Sequence, residues 1–443
     1  MERKTMKKQF GLPTAISMIV GIVIGSGIFF KTDDILMDTN GSVLYGAIAL
    51  VLGAIGIIFG GLTLSKLSEK SEKTGGLITY CELAFGKRFA FVAGFYQMGI
   101  YYPALLGVIL YVAANYTCML FEDAQLNVWI ITIIYFIGTF TVNYLSAKMA
   151  SYFQNLATII KILPLVIIGF LGIRYGSFHS MQNESFHITG IIASSSAIVS
   201  VAFSYDGWTV APAVAHEIKN AKRNLSLALA ISPVIIMVIY LIYFIGMSSI
   251  LGPQQILALG DSHVQVASER LFGLQGSKLV LLAIIISVLG TVNGLTLAAI
   301  RVPYALAIRK ELPFSHELAK INQKTNIPGR STLLTVLLTA FWMFAHFLTT
   351  QIHALHQIDI SSIPIFMMYV IYLILFISVI GKYKQKQLHG RFRGLVCPIF
   401  AIVGALLVIS GALYSPMFKI YLIVSLLFLI ISGIIYNVAK KQR

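Results

Sequence analysis

The chain has 443 residues, of which 57% are hydrophobic and only 11% are charged. A soluble protein of this length needs a far more charged surface, so the composition excludes a soluble fold. The net charge of +16 would indicate a nucleic-acid partner in a soluble protein, but membrane proteins collect Lys and Arg on their cytoplasmic loops. We therefore predict a polytopic, all-α membrane protein that is surrounded by the lipid bilayer and has no nucleic-acid partner.

A helix that crosses the membrane needs about 20 mostly apolar residues. The first such segment is long and lacks a small-residue cleavage site, so we expect a retained helix rather than a signal peptide. The sequence predicts twelve membrane-spanning helices, numbered here in chain order: 12–38, 44–65, 89–119, 127–145, 149–174, 188–213, 227–250, 277–308, 331–350, 358–381, 395–414 and 416–438. The last two form a helical hairpin with Pro416 at the turn.

The distribution of basic residues predicts the orientation of the chain. With the N-terminus inside, the cytoplasmic segments hold 27 of the 33 Lys and Arg residues, and the outer segments hold five. Such a bias predicts that both termini are cytoplasmic, as tails 1–11 and 439–443, and it supports an even number of helices. Lys161 alone lies inside a span.

Two predicted helices contain matching interruptions. Helix 1 carries the run 24–28, Ile-Gly-Ser-Gly-Ile, near its middle, and helix 6 carries the run 203–208, Phe-Ser-Tyr-Asp-Gly-Trp. Each is the first helix of a five-helix block, 12–175 and 188–381, and helices 11 and 12 (395–438) follow the second block. Because five is odd, the second block enters the membrane from the opposite side. Interrupted helices at matching positions of inverted repeats indicate a transporter binding site.

The Gly25-Ser26-Gly27 triplet of helix 1 weakens the helix and exposes its backbone. If the helix unwinds there, the N–H groups and the positive end of the following half-helix suit a carboxylate. The alternative is close helix packing, which small residues also permit. The matching interruption in helix 6 favours binding.

Helix 6 places Asp206 in an otherwise apolar span, beside a glycine. An ionisable group inside a membrane span is costly and usually faces a cavity or a partner. The alternative is a capping role, in which the carboxylate accepts backbone N–H bonds from the second half of a broken helix. Phe203 and Trp208 flank the interruption, and we consider both packing and a gate over a small ligand.

Lys161 lies in the middle of helix 5. Its ammonium needs carbonyl or hydroxyl acceptors unless its long stem carries it to the membrane surface. A fixed ammonium can replace a bound sodium ion electrostatically, so this position argues against sodium coupling. Ser287 and Asn293 in helix 8 are candidate partners, with ordinary interhelical hydrogen bonding as the alternative.

The cysteine and histidine pattern predicts neither a metal site nor a cofactor. The chain has three cysteines: Cys81, Cys118 and Cys397. They form no CxxC pair and no cluster with zinc spacing. Three histidines near the outer edge of helix 9 have no carboxylate or thiol cluster beside them: His346, His353 and His356. We interpret Cys118 as a packing residue, with a bond to a partner chain as the alternative.

These motifs resemble the amino acid–polyamine–organocation superfamily. The resemblance is carried, in order along the whole chain, by four segments: 24–29, the loop 73–77, 203–208 and the Arg-Val-Pro-Tyr-Ala-Leu-Ala run at 301–307. Within the superfamily the chain resembles the L-amino acid transporter family, and most of all bacterial serine/threonine exchangers. The resemblance implies the fold of the sodium-coupled leucine transporters, with a five-plus-five inverted repeat and two extra C-terminal helices.

The resemblance also implies roles for individual residues. The substrate carboxylate would meet Gly25, Ser26 and Gly27, and its α-amino group would meet carbonyls of the broken helices. We predict that those carbonyls belong to Val23, Phe203 and Asp206. The Phe203 ring would be the gate. The Lys161 ammonium would tie helix 1 to helix 8, where Ser287 matches the partner.

The same resemblance implies sodium-independent exchange by alternating access. A pocket bounded by Phe203, Ser204, Leu105 and Ile109 suits a short side chain, so we expect small neutral L-amino acids such as serine, threonine, alanine or cysteine. Ser204 and Asp206 depart from the animal pattern, which leaves proton-coupled symport by the same fold as the alternative.

Other classes of function fit the sequence less well. A membrane enzyme would need paired catalytic groups, and a channel would need repeated polar faces. We also expect location in the cell membrane and no heavy-chain subunit of the kind that animal members bind through a disulfide.

Overall fold

The computed structural model describes residues 11–441 except 26, 69–75, 122–125, 146, 179–186, 188–189, 191–195, 210–217, 323–324, 326, 352–359, 361 and 415–417. The described part is built from α-helices, with one isolated β-bridge between Asn322 and Ile327. Nine of its helices are long and apolar enough to cross a membrane, or ten if the bent pair at the start is one span. The predicted number of twelve remains a prediction.

The first half of the chain contains the first five predicted helices and one additional short helix. Helix 1 is divided into α1 and α2, and helix 3 is α5 and α6 joined by a π-helical turn at Gln97–Tyr101. The bounds are α1 Leu12–Val23, α2 Gly27–Asp38, α3 Val43–Ser68, α4 Gly76–Phe85, α5 Lys87–Tyr96, α6 Tyr102–Leu120, α7 Val128–Leu145 and α8 Ala147–Tyr175. The short α4 was not among the predicted spans.

The second half begins with the described part of helix 6. The bounds are α9 Ala197–Ser204, α10 Ala221–Leu251, α11 Pro253–Leu259, α12 His263–Ile308, α13 Ser315–Leu318, α14 Gly329–Thr350, α15 Ser362–Lys384, α16 Cys397–Tyr414 and α17 Phe418–Lys441. The long α12 is two helices joined at Gly273, whose φ of 68° breaks the helical geometry. Its second part is the predicted helix 8. Pro416 lies outside the described residues.

Close backbone contact and buried polar bonds hold the helices together. A Cβ atom at Gly172 of α8 would clash with the backbone of Gly246 in α10, so glycine is needed for the two helices to approach this closely. The Asn143 amide of α7 donates to Asn293 Oδ1 of α12 at 3.0 Å. These contacts join α8 to α10 and α7 to α12.

Candidate functional site

Helix 1 is interrupted where its glycines lie. α1 ends at Val23, Ile24 has extended backbone angles (φ −71°, ψ 105°), and α2 begins at Gly27 after a bend of 52°. A Cβ at Gly25 would clash with the Thr291 side chain, and a Cβ at Gly27 would lie 2.7 Å from Ser204 Cα. Both glycines therefore serve close packing as well as the interruption. Ser26 lies outside the described residues.

Helix 6 is interrupted at the predicted place as well. α9 ends at Ser204, and Gly207 has a φ of 97°, in the left-handed region that favours glycine. Between them, the Asp206 N–H donates to the Phe203 carbonyl at 3.1 Å. Trp208 is buried and packs on the Tyr372 ring at 5.2 Å between centroids. Its surroundings agree with the packing interpretation of this tryptophan.

The Asp206 carboxylate has a partner that the sequence did not indicate. The Tyr101 hydroxyl, at the π-helical turn of helix 3, donates to Asp206 Oδ2 at 2.5 Å. The same π-helical turn accepts a second side-chain hydrogen bond, because the Trp342 indole N–H donates to the Gly99 carbonyl at 2.8 Å. Helix 3 therefore holds the carboxylate at the helix 6 interruption.

A second tyrosine joins the two interrupted helices. The Tyr240 hydroxyl of α10 lies 3.1 Å from the Val23 carbonyl and 2.9 Å from the Ser204 carbonyl. Both carbonyls lie at helix ends, where intrahelical donors are missing, and the single O–H of Tyr240 lies within reach of either carbonyl. No feature of the sequence distinguishes Tyr240 from other membrane tyrosines.

A small cavity lies between the interruptions. It is lined by Ile22, Val23, Gly27, Leu105, Ile109, Phe203, Asp206, Gly207, Thr291 and Leu295. Six of the predicted residues therefore line one cavity: Val23, Gly27, Leu105, Ile109, Phe203 and Asp206. Gly25 and Ser204 are not part of this lining, and the Ser204 hydroxyl donates to the Ser200 carbonyl at 3.1 Å. Phe203 is 6% exposed, and its ring meets the edge of Phe30.

The Lys161 ammonium is fully buried and links three helices. It donates to the Gly21 carbonyl of α1 at 2.6 Å and to Thr291 Oγ1 of α12 at 2.9 Å. The side chain therefore does not extend to the membrane surface, and the helix 1 carbonyl acceptor is as expected. The helix 8 acceptor, however, is Thr291 and not Ser287, whose hydroxyl is buried without a hydrogen bond in the described structure.

Ser287 and Thr291 lie one helical turn apart on α12, so both face α8. Thr291 is the one that reaches the Lys161 ammonium, and its side chain also lines the cavity. Asn293, the other candidate, bonds instead to Asn143.

His346 and Cys118 lie among the described residues, and neither belongs to a candidate metal-binding group there. His346 packs among aromatic rings, 4.9 Å from Tyr111 and 5.8 Å from Trp129, and no group of His, Cys, Asp or Glu among the described residues is arranged to hold a metal ion. His353 and His356 lie outside the described residues. The Cys118 thiol is partly buried, 3.6 Å from the Leu126 carbonyl.

A family model described as amino acid permease matches residues 10–441. The chain belongs to the amino acid permease family. Among curated relatives, the permease is similar to the serine/threonine exchanger SteT of Bacillus subtilis (strain 168). The two are 30% identical over 420 residues, which cover 94% of this chain and 93% of SteT.

Animal transporters are also similar to this permease. The b(0,+)-type amino acid transporter 1 of Mus musculus is 25% identical, over 98% of this chain and 88% of its own length. The cystine/glutamate transporter of Homo sapiens is 25% identical, over 94% and 83%. These matches confirm the predicted family, and they make the permease a multi-pass membrane transporter of amino acids rather than an enzyme.

A solved structure shares the fold. The crystal structure of MhsT in complex with L-phenylalanine aligns with a TM-score of 0.61 and covers 90% of this chain and 97% of MhsT, at 14% sequence identity. The predicted leucine-transporter-like fold is therefore confirmed. The boundaries of the two repeats remain a prediction.

Proposed function

We propose that this permease is a sodium-independent exchanger of small neutral L-amino acids, such as serine, threonine, alanine or cysteine, which works by alternating access. The observation that carries the proposal is the cavity between the interrupted helices, connected through Thr291 to the buried Lys161 ammonium. SteT, the similar bacterial protein, is named a serine/threonine exchanger.

Recognition of the amino acid backbone is assigned to the two interruptions. The substrate carboxylate would bind at Gly25, Ser26 and Gly27, where α2 begins and its first N–H groups lack intrahelical partners. The ammonium would bind carbonyls at the ends of α1 and α9. The Val23 carbonyl already accepts from Tyr240, but a carbonyl oxygen has a second lone pair for the substrate.

Selection of small side chains is assigned to the walls of the cavity. Leu105 and Ile109 of helix 3 and Leu295 of helix 8 present apolar groups, and the Phe203 ring closes the remaining side. Such a lining favours short side chains without a negative charge, because an acidic side chain would be desolvated there beside the Asp206 carboxylate and without a cation as partner. Ser204 would contribute through its backbone rather than through its hydroxyl, which is bonded within α9.

Sodium independence is assigned to Lys161. The ammonium occupies the space between Gly21 of helix 1 and Thr291 of helix 8, and it supplies the positive charge that a sodium ion would bring there. The proposal includes cytoplasmic termini, location in the cell membrane, repeats 12–175 and 188–381, and activity without a heavy-chain subunit.

The test is uptake of radiolabelled serine into proteoliposomes loaded with or without unlabelled serine. Exchange predicts that internal serine accelerates uptake and that replacing sodium with choline leaves the rate unchanged. Ser26→Leu should abolish binding, because a bulky side chain would fill the carboxylate position, while the purified variant still elutes as folded protein. Sodium-dependent uptake, or uptake indifferent to internal serine, would refute the proposal.

Proton-coupled symport remains the second candidate, because Asp206 is an ionisable group on the cavity wall. Asp206→Asn keeps an acceptor for the Tyr101 hydroxyl but removes the titrating carboxylate. Exchange of serine should survive this change, whereas accumulation driven by an imposed pH gradient should disappear if Asp206 carries the proton.

A further inference from the structure

The lysine that follows Phe30 is buried beside the aromatic ring that closes the cavity. Lys31 is 1% exposed, and its ammonium lies 4.6 Å from the centroid of the Phe30 ring and 5.4 Å from the centroid of the Phe203 ring. Both distances lie within the range of about 6 Å over which a cation is attracted to an aromatic face. The ammonium therefore contacts the gate ring, although Lys31 is not itself part of the cavity lining.

An ion pair fixes the position of this ammonium. Lys31 Nζ lies 2.6 Å from Asp34 Oδ2, one turn further along α2. Three further carboxylates act on it electrostatically: Asp33, Asp38 and Asp261. The carboxylates compensate the cost of burying the charge, so the ammonium can stay against the rings instead of extending into water.

The surrounding contacts close the same side of the cavity. The Ser200 hydroxyl of α9 donates to Asp38 Oδ2 of α2 at 3.1 Å, and the Asn115 amide of α6 donates to Asp261 Oδ2 at 2.9 Å. In the proposed orientation this is the outer side, because α2 leads outward from the interruption of helix 1. Substrate entering from outside has to pass the Phe203 ring.

We propose that Lys31 is the outer latch of the permease, a positioning residue whose ammonium holds the Phe203 ring over the substrate cavity. The inference rests on the proposed function, in which Phe203 is the gate. Rotation of the ring away from the cavity breaks its contact with the ammonium, so the closed position is favoured as long as Lys31 is charged and in place. Loss of the latch shifts the population toward conformations open to the outside.

Thiol labelling tests the latch without requiring transport. Leu105→Cys places a thiol in the cavity, and a Cys118→Ser background leaves only the buried Cys81 and Cys397 as native thiols. In intact cells a membrane-impermeant thiol reagent added outside should label this cysteine on the order of tenfold faster after Lys31→Met, because the ring loses a desolvated cation. Lys31→Arg keeps the cation and should label at the parent rate, as should Lys278→Met, which removes an exposed lysine elsewhere.

Two more variants distinguish a latch, in which the Lys31 ammonium acts on the Phe203 ring, from an anchor, in which Lys31 acts only through its ion pair with Asp34. Phe203→Leu keeps the ion pair but removes the ring that the ammonium holds, so a latch predicts that adding Lys31→Met to this variant leaves the labelling rate unchanged. An anchor predicts that Lys31→Met still accelerates labelling in the Phe203→Leu background, and that Asp34→Asn labels fast. Unchanged labelling after Lys31→Met, or the anchor pattern, would overturn the proposal.

Transport kinetics provide a second measurement if Leu105→Cys does not fold. In the native-cysteine protein, Lys31→Met should lower the outside KM for serine relative to the inside KM by a similar factor, since a larger fraction of molecules is open to the outside. An unchanged ratio would refute the latch. Failure of the unmodified permease to exchange serine would instead refute the proposed function, whereas the labelling result would still report on the latch.

Discussion

Replacing Lys161 by methionine tests whether the buried ammonium controls the conformational equilibrium. Methionine has a similar length and no charge, so Lys161→Met deletes the bonds to the Gly21 carbonyl and to Thr291 Oγ1 but keeps most of the packing. Each hydrogen bond to a charged group contributes about 1.5–3 kcal/mol. Loss of both bonds is offset in part because a buried charge no longer has to be desolvated.

We expect Lys161→Met to change the equilibrium between the conformations open to the outside and to the inside, rather than the free energy of unfolding. Lys161 joins helix 1 to helix 8 in the conformation described here, and a link made in only one conformation biases the equilibrium. A net change of about 1–3 kcal/mol corresponds to a shift of roughly 5- to 150-fold. Lys161→Met should therefore change the ratio of outside to inside KM by at least about fivefold and reduce the exchange rate, while the protein remains in the membrane.

The assay is serine exchange in proteoliposomes, with the external and the internal concentration varied in separate series. Thr291→Val removes the acceptor on helix 8 and should change the KM ratio in the same direction as Lys161→Met. Ser287→Ala should leave the ratio unchanged, because that hydroxyl makes no hydrogen bond in the described structure. Near-normal kinetics in Lys161→Met would refute the role of the ammonium. A changed KM ratio in Ser287→Ala together with an unchanged ratio in Thr291→Val would refute the pairing of Lys161 with Thr291.

Three further changes test the groups around the cavity. Tyr240→Phe removes the hydroxyl near the Val23 and Ser204 carbonyls and should destabilise the junction of the two helices by about 1 kcal/mol. The loss should be measurable as a lower Tm and an altered serine KM. The matched control is Tyr243→Phe, which deletes a buried hydroxyl that has no hydrogen-bond partner in the described structure. Tyr101→Phe removes the hydroxyl donor to the buried Asp206 carboxylate and should cost about 1–3 kcal/mol, recorded as reduced exchange. The double variant with Asp206→Asn should be less than additive, and full additivity would contradict the pairing. Phe203→Ala should impair exchange more than Tm if the ring is a gate, whereas normal exchange with a lower Tm would support packing alone.

The membrane fold is largely determined by the sequence. A segment of about 20 apolar residues has to satisfy its own backbone within the bilayer, so composition along the chain predicts the helices with little help from tertiary contacts. The interruptions at Gly25 and Gly207 are equally local, because glycine and a polar neighbour weaken a helix wherever they occur. The residues nearest to these interruptions, Val23, Gly27, Phe203 and Asp206, accordingly lie together on the cavity.

Partners distant in sequence were decided by the tertiary structure alone. Tyr101 and Tyr240 look like any other membrane tyrosines until the helices pack and bring their hydroxyls to Asp206 and to the two free carbonyls. Ser287 and Thr291 lie one turn apart on the same face, so sequence spacing gives both as candidates for Lys161. The position at which α8 packs along α12 decides between them, because the ammonium bonds only to an acceptor within hydrogen-bond distance. That acceptor is Thr291 Oγ1.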